Sequence, residues 1–287
     1  MNHISLSKIK YRLFIPSGNM TALVEKLERD AYKRRLIQDH IMARRPGIEQ
    51  VGFIGGGPRN PELIMAGGEF CGNAARSAAW LLLDGMPGEI SIRVSGAKEP
   101  INTGVTAELE AWAEIPVSGG EDAVRIICDG IYLVKLEGIS HLILSYGISA
   151  QFLRELRGGV FPDNLLAKTQ NALSDDFQTY MPLSDAFLEM KSSNAFGIIY
   201  TECVGGVLKV HPCVFVKSSG TAFYETACGS GSAAVAIAEC ARLGRDVAIP
   251  LLQPSGMYIG ATVRASGGRV AQATISGPIK EVSADQA

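Results

Sequence analysis

The 287-residue sequence has no Cys-x-x-Cys pair, no His-x-x-x-His spacing, and no Gly-Lys-Ser/Thr turn after its glycine-rich stretch GGGPRNP at Gly55 to Pro61. The first two absences remove the common zinc frameworks, and the third removes a phosphate cradle. There is no basic stripe interleaved with aromatics, and 27 Lys and Arg against 29 Asp and Glu leave a formal charge of −2. Nucleic acid is therefore not an expected partner. No apolar run reaches membrane-spanning length, and the opening MNHISLSKIKYRLF lacks a continuous apolar core with a small-residue cleavage site. The expectation is a cytoplasmic protein that handles small molecules away from membranes. Six cysteines in such a chain, Cys71, Cys128, Cys203, Cys213, Cys228 and Cys240, read as free thiols rather than a disulfide framework. Cys203, His211 and Cys213 lie in a segment that alternates like a strand, so both cysteines are read as small core residues and no metal is expected.

What the sequence does have is one turn written twice. Gly67 to Leu83 reads GGEFCGNAARSAAWLLL, and Tyr224 to Cys240 reads YETACGSGSAAVAIAEC. Aligning Cys71 with Cys228 places Gly72 on Gly229, Asn73 on Ser230, and Ala78-Ala79 on Val235-Ala236. Both segments after the cysteine are poor in charge on every side, which predicts helices buried all round. Around them, strands are read at 8–15, 50–54, 62–66 and 89–96, with Pro16 to Asn19 turning the first strand into a hairpin. A helix is read from about Arg29 to Arg44, with Lys33, Arg34 and Arg35 on a solvated face. The expected fold is α+β: two domains related by a pseudo-twofold axis, each a mostly antiparallel or mixed sheet wrapped around one central apolar helix, with a cleft between them. The boundary falls in PVSGG, Pro116 to Gly120, giving an N-terminal half 1–118, joined by a C-terminal strand 274–287, and a C-terminal half 119–273.

A thiol at a helix start meets the positive end of the helix dipole and several unpaired N–H groups, which favours thiolate. The glycine after each cysteine clears the approach for an anion such as a carboxylate. Two such turns facing across a cleft can hold one carboxylate between two sulfurs. One thiolate then removes an α-proton while the opposite thiol protonates the other face, a two-base racemisation that calls for no cofactor. A single buried cysteine is more often core than catalytic; the matched pair, Cys71 and Cys228, is what favours catalysis. Cys128 and Cys240 lack the following glycine and are read as structural.

These motifs resemble the diaminopimelate epimerase-like family, whose members carry E-x-C-G-N-x-x-R and A-C-G-S/T-G turns, here Glu69 to Arg76 and Ala227 to Gly231. The resemblance also takes in Ser17 to Asn19, Glu49-Gln50, QPSGMYI and the closing Ser276 to Pro278. It implies that Cys71 and Cys228 are acid and base, and that Asn19 and Asn73 contact the substrate beside Gln50. The main chain of Gly72, Gly229 and Ser230 is implied to hold the α-carboxylate. The mid-chain Asn-Pro-His and the arginine before the second cysteine, which bind the far end of diaminopimelate, have no counterpart at Ser145 to Ser149 or in SSGTAFYETAC. Within the family the chain is similar to the histidine racemases of staphylopine-type metallophore biosynthesis, sharing PSGNMT, EQVGFI, EFCGNA and CGSG. By that likeness Glu49 and Glu225 suit an imidazole, and the substrate is L- or D-histidine for opine metallophore synthesis. The alternatives are diaminopimelate or another amino acid, a binding protein for a carboxylated metabolite, and a thiol redox sensor. The expected partner is a small amino acid; a homodimer stays open.

Overall fold

A computed structural model describes residues 9–57, 59–118, 123–128, 130–145, 185–186, 188–190 and 192–282. The proposed boundary at Gly119-Gly120, residues 146–149 of the mid-chain segment and residues 283–287 of the last strand lie outside the described residues. The N-terminal elements are β1 (Tyr11–Pro16), β2 (Thr21–Val24), α1 (Ala31–Arg44), β3 (Gln50–Gly55), β4 (Glu62–Met65), α2 (Gly72–Leu82), β5 (Gly88–Val94), β6 (Ile101–Val105) and β7 (Glu110–Glu114). The rest are β8 (Val124–Cys128), β9 (Ile131–Leu136), β10 (Ile139–Leu144), β11 (Ala195–Val204), β12 (Val207–Val216), β13 (Thr221–Tyr224), α3 (Gly229–Leu243), β14 (Val247–Leu252), β15 (Tyr258–Ser266) and β16 (Arg269–Val282).

The pairings run twice through one pattern. In the first pass β1/β2 is antiparallel, β2/β3 parallel, β3/β4 antiparallel, β4/β5 parallel, and β5/β6 and β6/β7 antiparallel. In the second, β9/β10, β10/β11, β11/β12, β12/β14, β14/β15 and β15/β16 take the same senses in the same order. Each parallel step needs a crossover, and α2 and α3 supply the matching ones. The long β16 pairs with β15 and β7 and, through Ile279 to Val282, with β1. That last pairing closes β1 to β7 and β16 into a ring, and α2 touches all eight of its strands. α3 packs against β8 to β11 and β14 to β16, and against α2.

Composition explains how a helix fits inside a sheet. Ala74, Ala75, Ser77, Ala78 and Ala79 of α2 and Ala233, Ala234 and Ala236 of α3 are fully buried. Short side chains let backbone approach backbone with little void. The two helix starts meet. A Cβ on Gly72 would lie 2.8 Å from Ile275 Cδ1 and 3.8 Å from the Gly229 carbonyl carbon, and one on Gly229 would lie 2.6 Å from the same Cδ1. Asn73 Nδ2 crosses the junction to donate to Ala227 O at 2.8 Å.

Two sequence expectations fail here. Arg34 is not on a solvated face: it falls three residues before Ile37 and seven before Ile41, so the helical period carries it onto α1's buried side, where it donates to the carbonyls of Glu28, Arg29 and Ala66. Cys203 is exposed because β11 runs out into a free hairpin end, whereas Cys213 is core as expected. Cys240 is buried in α3.

Ile275 caps both helix starts from β16, so truncating it opens a cavity at the junction. Ile275→Ala should cost about 2–5 kcal/mol, measured by urea unfolding. A loss below about 1 kcal/mol, within the range of a surface change, would show that β16 does not pin the junction.

Candidate active site

Cys71 and Cys228 are the N-cap residues of α2 and α3, both with extended backbone. Their sulfurs accept N–H bonds from Ala74 at 3.4 Å and Gly231 at 3.3 Å. A sulfur thus replaces the oxygen that Ser, Thr or Asp supplies at an ordinary N-cap. Both cysteines line one small cavity of about 40 Å³, together with Glu49, Gln50, Glu69 and Glu225. Gly72, Asn73, Gly229 and Ser230 line it too, at helix positions whose N–H groups have no intrahelical acceptor. Asn19 does not line it. Its amide donates to Glu49 Oε2 at 2.8 Å and its carbonyl accepts from Thr21, so it stands behind Glu49.

The carboxyls and thiols are chained together. Glu49 is held by Asn19, by Thr226 N at 3.1 Å and by the Thr226 hydroxyl. Gln50 accepts from the Cys71 thiol at 2.9 Å and donates to Glu225 Oε1 at 3.0 Å. Glu225 sits beside Cys228, and its second oxygen is buried without a partner. Burial lifts all three carboxyls above their ordinary range: Glu49 to about 6, with Thr226 and Asn19 opposing, Glu69 to about 7, and Glu225 to about 8, where the nearby Glu49 adds to burial.

The thiols do not follow the expectation of lowered pKa. Burial pushes both Cys71 and Cys228 well up, with Glu225 adding to it at each, and the helix-start N–H bonds only partly offset the shift. An apolar enclosure outweighs the pull of a helix end, so in the ligand-free site both sulfurs are protonated.

Four residues at or behind the cavity were not singled out from sequence as site residues. Glu69 was read only as a letter of the first motif; it lines the cavity with Oε2 buried and unpaired. Gln253, in the QPSG turn, accepts from Cys228 N at 3.1 Å and donates to Ser232. Arg76 is fully buried and donates to Asn73 Oδ1 at 2.9 Å. His141, from β10, reaches Ser230 Oγ at 2.9 Å. Among the described residues no three His, Cys, Asp or Glu side chains group as metal ligands, and no helix is long and apolar enough to cross a membrane.

A family profile described as "Histidine racemase CntK N-terminal domain" matches residues 8–161 and 164–287. The chain belongs to the histidine racemase family. It is 27% identical over 256 residues to a histidine racemase of Fusobacterium nucleatum, covering 84% of each chain. Its fold matches a PhzF-family phenazine biosynthesis protein of Enterococcus faecalis at a TM-score of 0.55, with 13% identity over 95% of this chain and 96% of that one. It also matches a probable proline racemase of Agrobacterium radiobacter K84 at 0.54, with 13% identity over 97% and 94%. The fold is therefore α+β, dominated by sheet, with a closed barrel of the PhzF and proline racemase kind, to which the expected diaminopimelate epimerase fold is related. The protein is an isomerase, an amino-acid racemase.

The raised carboxyls tie stability to pH with a definite sign. A folded-state pKa above the ordinary 4.5 means the fold prefers the protonated group; that contribution is complete below about 4.5 and is lost as pH rises through about 6, 7 and 8. Glu225→Gln keeps an acceptor for Gln50 and removes the ionisation. Thermal unfolding should show the variant and the parent level near pH 4.5 and the variant more stable by pH 8. A variant less stable than the parent at pH 8 would mean the carboxylate is favourably held.

Proposed function

We propose that the protein interconverts L- and D-histidine by proton exchange between Cys71 and Cys228. The observation that carries this reading is the lining of the shared cavity: two helix-start thiols, three carboxyls, and no Lys, Arg or His side chain among the described residues. A second carboxylate, as in diaminopimelate, would enter this site unpaired, at high cost. A cationic or N–H-donating side chain such as imidazole finds acceptors in Glu49 and in the free oxygen of Glu225. The α-carboxylate would sit on the N–H groups of Gly72, Gly229 and Ser230. Asn19 acts through Glu49.

In the forward step one thiolate takes the α-proton and the C–H electron pair passes into the carboxylate, where the helix-start N–H groups face the growing charge. The opposite thiol gives its proton to the other face. The enzyme is left with the two sulfurs' protonation exchanged. A substrate carrying positive charge lowers the cost of a buried thiolate, so one thiol releases its proton to solvent as the substrate binds and the other keeps its own.

The repeated order of strand pairings supports two halves, 1–118 and 119–273, related by a pseudo-twofold axis, with the 274–287 strand returning to the first. We infer that D-histidine so formed serves opine metallophore synthesis, a reading that rests on the sequence likeness alone; loss of such a metallophore from culture supernatant on deleting the gene tests it.

Solvent deuterium reports the chemistry directly. L-Histidine in D₂O should gain α-deuterium, and Cys71→Ala or Cys228→Ala should reduce exchange by about 10²–10⁴-fold, the span of acid–base catalysis. Glu49→Gln and Glu225→Gln should raise KM for histidine. Exchange of meso-diaminopimelate with histidine unlabelled would overturn the substrate; exchange surviving either cysteine change would overturn the mechanism.

A further inference from the structure

The mechanism leaves a buried imidazole behind the cavity unused. His141 is fully buried in β10, and Ser230 Oγ, 2.9 Å from Nε2, is the one polar partner of its ring among the described residues. Room for the ring is built in: Gly197 lies opposite His141 in the parallel β10/β11 register, and a Cβ there would lie 2.3 Å from Nδ1 and 2.7 Å from Cε1. Any other residue at 197 would expel the imidazole. Ser230 Oγ in turn lies 3.7 Å from Cys228 Sγ. Three polar atoms therefore form a line from β10 to the second cysteine.

The hydrogen atoms on that line can be assigned. Burial drives the His141 pKa down to about 3, so the ring is neutral with one N–H and one lone pair. Nδ1 has no partner. A buried unpaired N–H is rarer than an unpaired acceptor, so the proton belongs on Nε2. Nε2–H then donates to Ser230 Oγ, which leaves the serine hydroxyl hydrogen free to donate in the other direction, where Cys228 Sγ lies. The side-chain partner of Cys71 is the oxygen of Gln50, which accepts from the thiol; Cys228 has such an acceptor too, in Glu225, but beside it stands the serine hydroxyl.

We propose that His141 is a positioning residue: it holds the Ser230 hydroxyl so that the hydroxyl hydrogen faces the Cys228 sulfur and stabilises the thiolate there. The proposal rests on the reading of Cys228 as an acid–base thiol. The other titratable groups around Cys228 are Glu225, in the segment leading into α3, and Cys71, Glu49 and Glu69 on the cavity wall; His141 comes from β10. A charge-assisted hydrogen bond to a sulfur favours its ionised form, while the three carboxyls oppose it.

The test reads iodoacetamide alkylation of each cysteine by peptide mass spectrometry in the full chain, across pH, with Cys71 as internal reference. Ser230→Ala and His141→Phe should each slow Cys228 at neutral pH by roughly tenfold, the equivalent of one pKa unit, and leave Cys71 unchanged. The double variant should be no slower than either single, and His141→Gln, whose amide can donate to Ser230, should recover most of the rate. An unmoved Cys228 in Ser230→Ala overturns the proposal, even where His141→Phe fails to fold. Equal slowing of both cysteines, or additive slowing in the double variant, overturns it as well. Failure of the two-thiol mechanism itself would read differently, as α-deuteration surviving Cys228→Ala.

Discussion

Two helices have to start at the same point inside a sheet, and the rest of the molecule follows from that contact. Gly72 and Gly229 exist where any Cβ would strike Ile275, and Asn73 spends its amide on the carbonyl of Ala227 across the junction. A helix start is normally solvated or capped, because its first N–H groups lack acceptors. Here two starts are buried together, each with a sulfur as side-chain cap, joined at α3 by the Gln253 oxygen on Cys228 N. The N–H groups left over have the polarity to hold an anion, which is why the proposed function seats the substrate carboxylate there.

The same burial decides the state of the thiols. A helix end contributes about 0.3–1 kcal/mol toward an anion and up to about 2 in favourable geometry, or roughly one pKa unit. Full burial moves a titratable group by up to about 3–5 units the other way. Burial therefore wins at Cys71 and Cys228, and it also reduces the charge on the three carboxyls near neutrality, since each is raised toward protonation. Near neutrality the ligand-free pocket carries less charge than its five acidic side chains would carry in water. Charge separation waits for a substrate that brings charges of its own, and a reactive thiolate is not displayed to solvent in the meantime.

Much of this was legible in the sequence, and the reason is local. The two Cys-Gly turns announce N-caps because cap, glycine and a charge-free helical run are adjacent in the chain; the α1 span and the opening hairpin follow from helical period and from Pro16 to Asn19 in the same way. Arg34 failed because a basic run was read as a solvated face when its own period placed it inward. His141 left no sequence signal at all: β10 is buried on nearly every residue, so alternation does not mark which side faces α3, and the glycine that admits the ring lies 56 positions later, on β11. Glu69 and Gln253 sit beside the cysteines only because particular turns fold back on the helix starts. Pair contacts across a parallel crossover are set by register, which one sequence does not print.

The repeated order of strand pairings does not make the surroundings of the two cysteines alike, and on the proposed mechanism it need not. Cys71 leans on an amide oxygen and Cys228 on a serine hydroxyl, with Glu225 beside the second. L and D forms of one amino acid have equal free energy in water, so the ratio of kcat/KM in the two directions is fixed at one, whatever the protein does to either sulfur. An asymmetric pair can therefore lower KM for one enantiomer only with a matching fall in its kcat. The asymmetry in the site has its effect elsewhere, in which thiol gives up its proton more readily when a substrate binds.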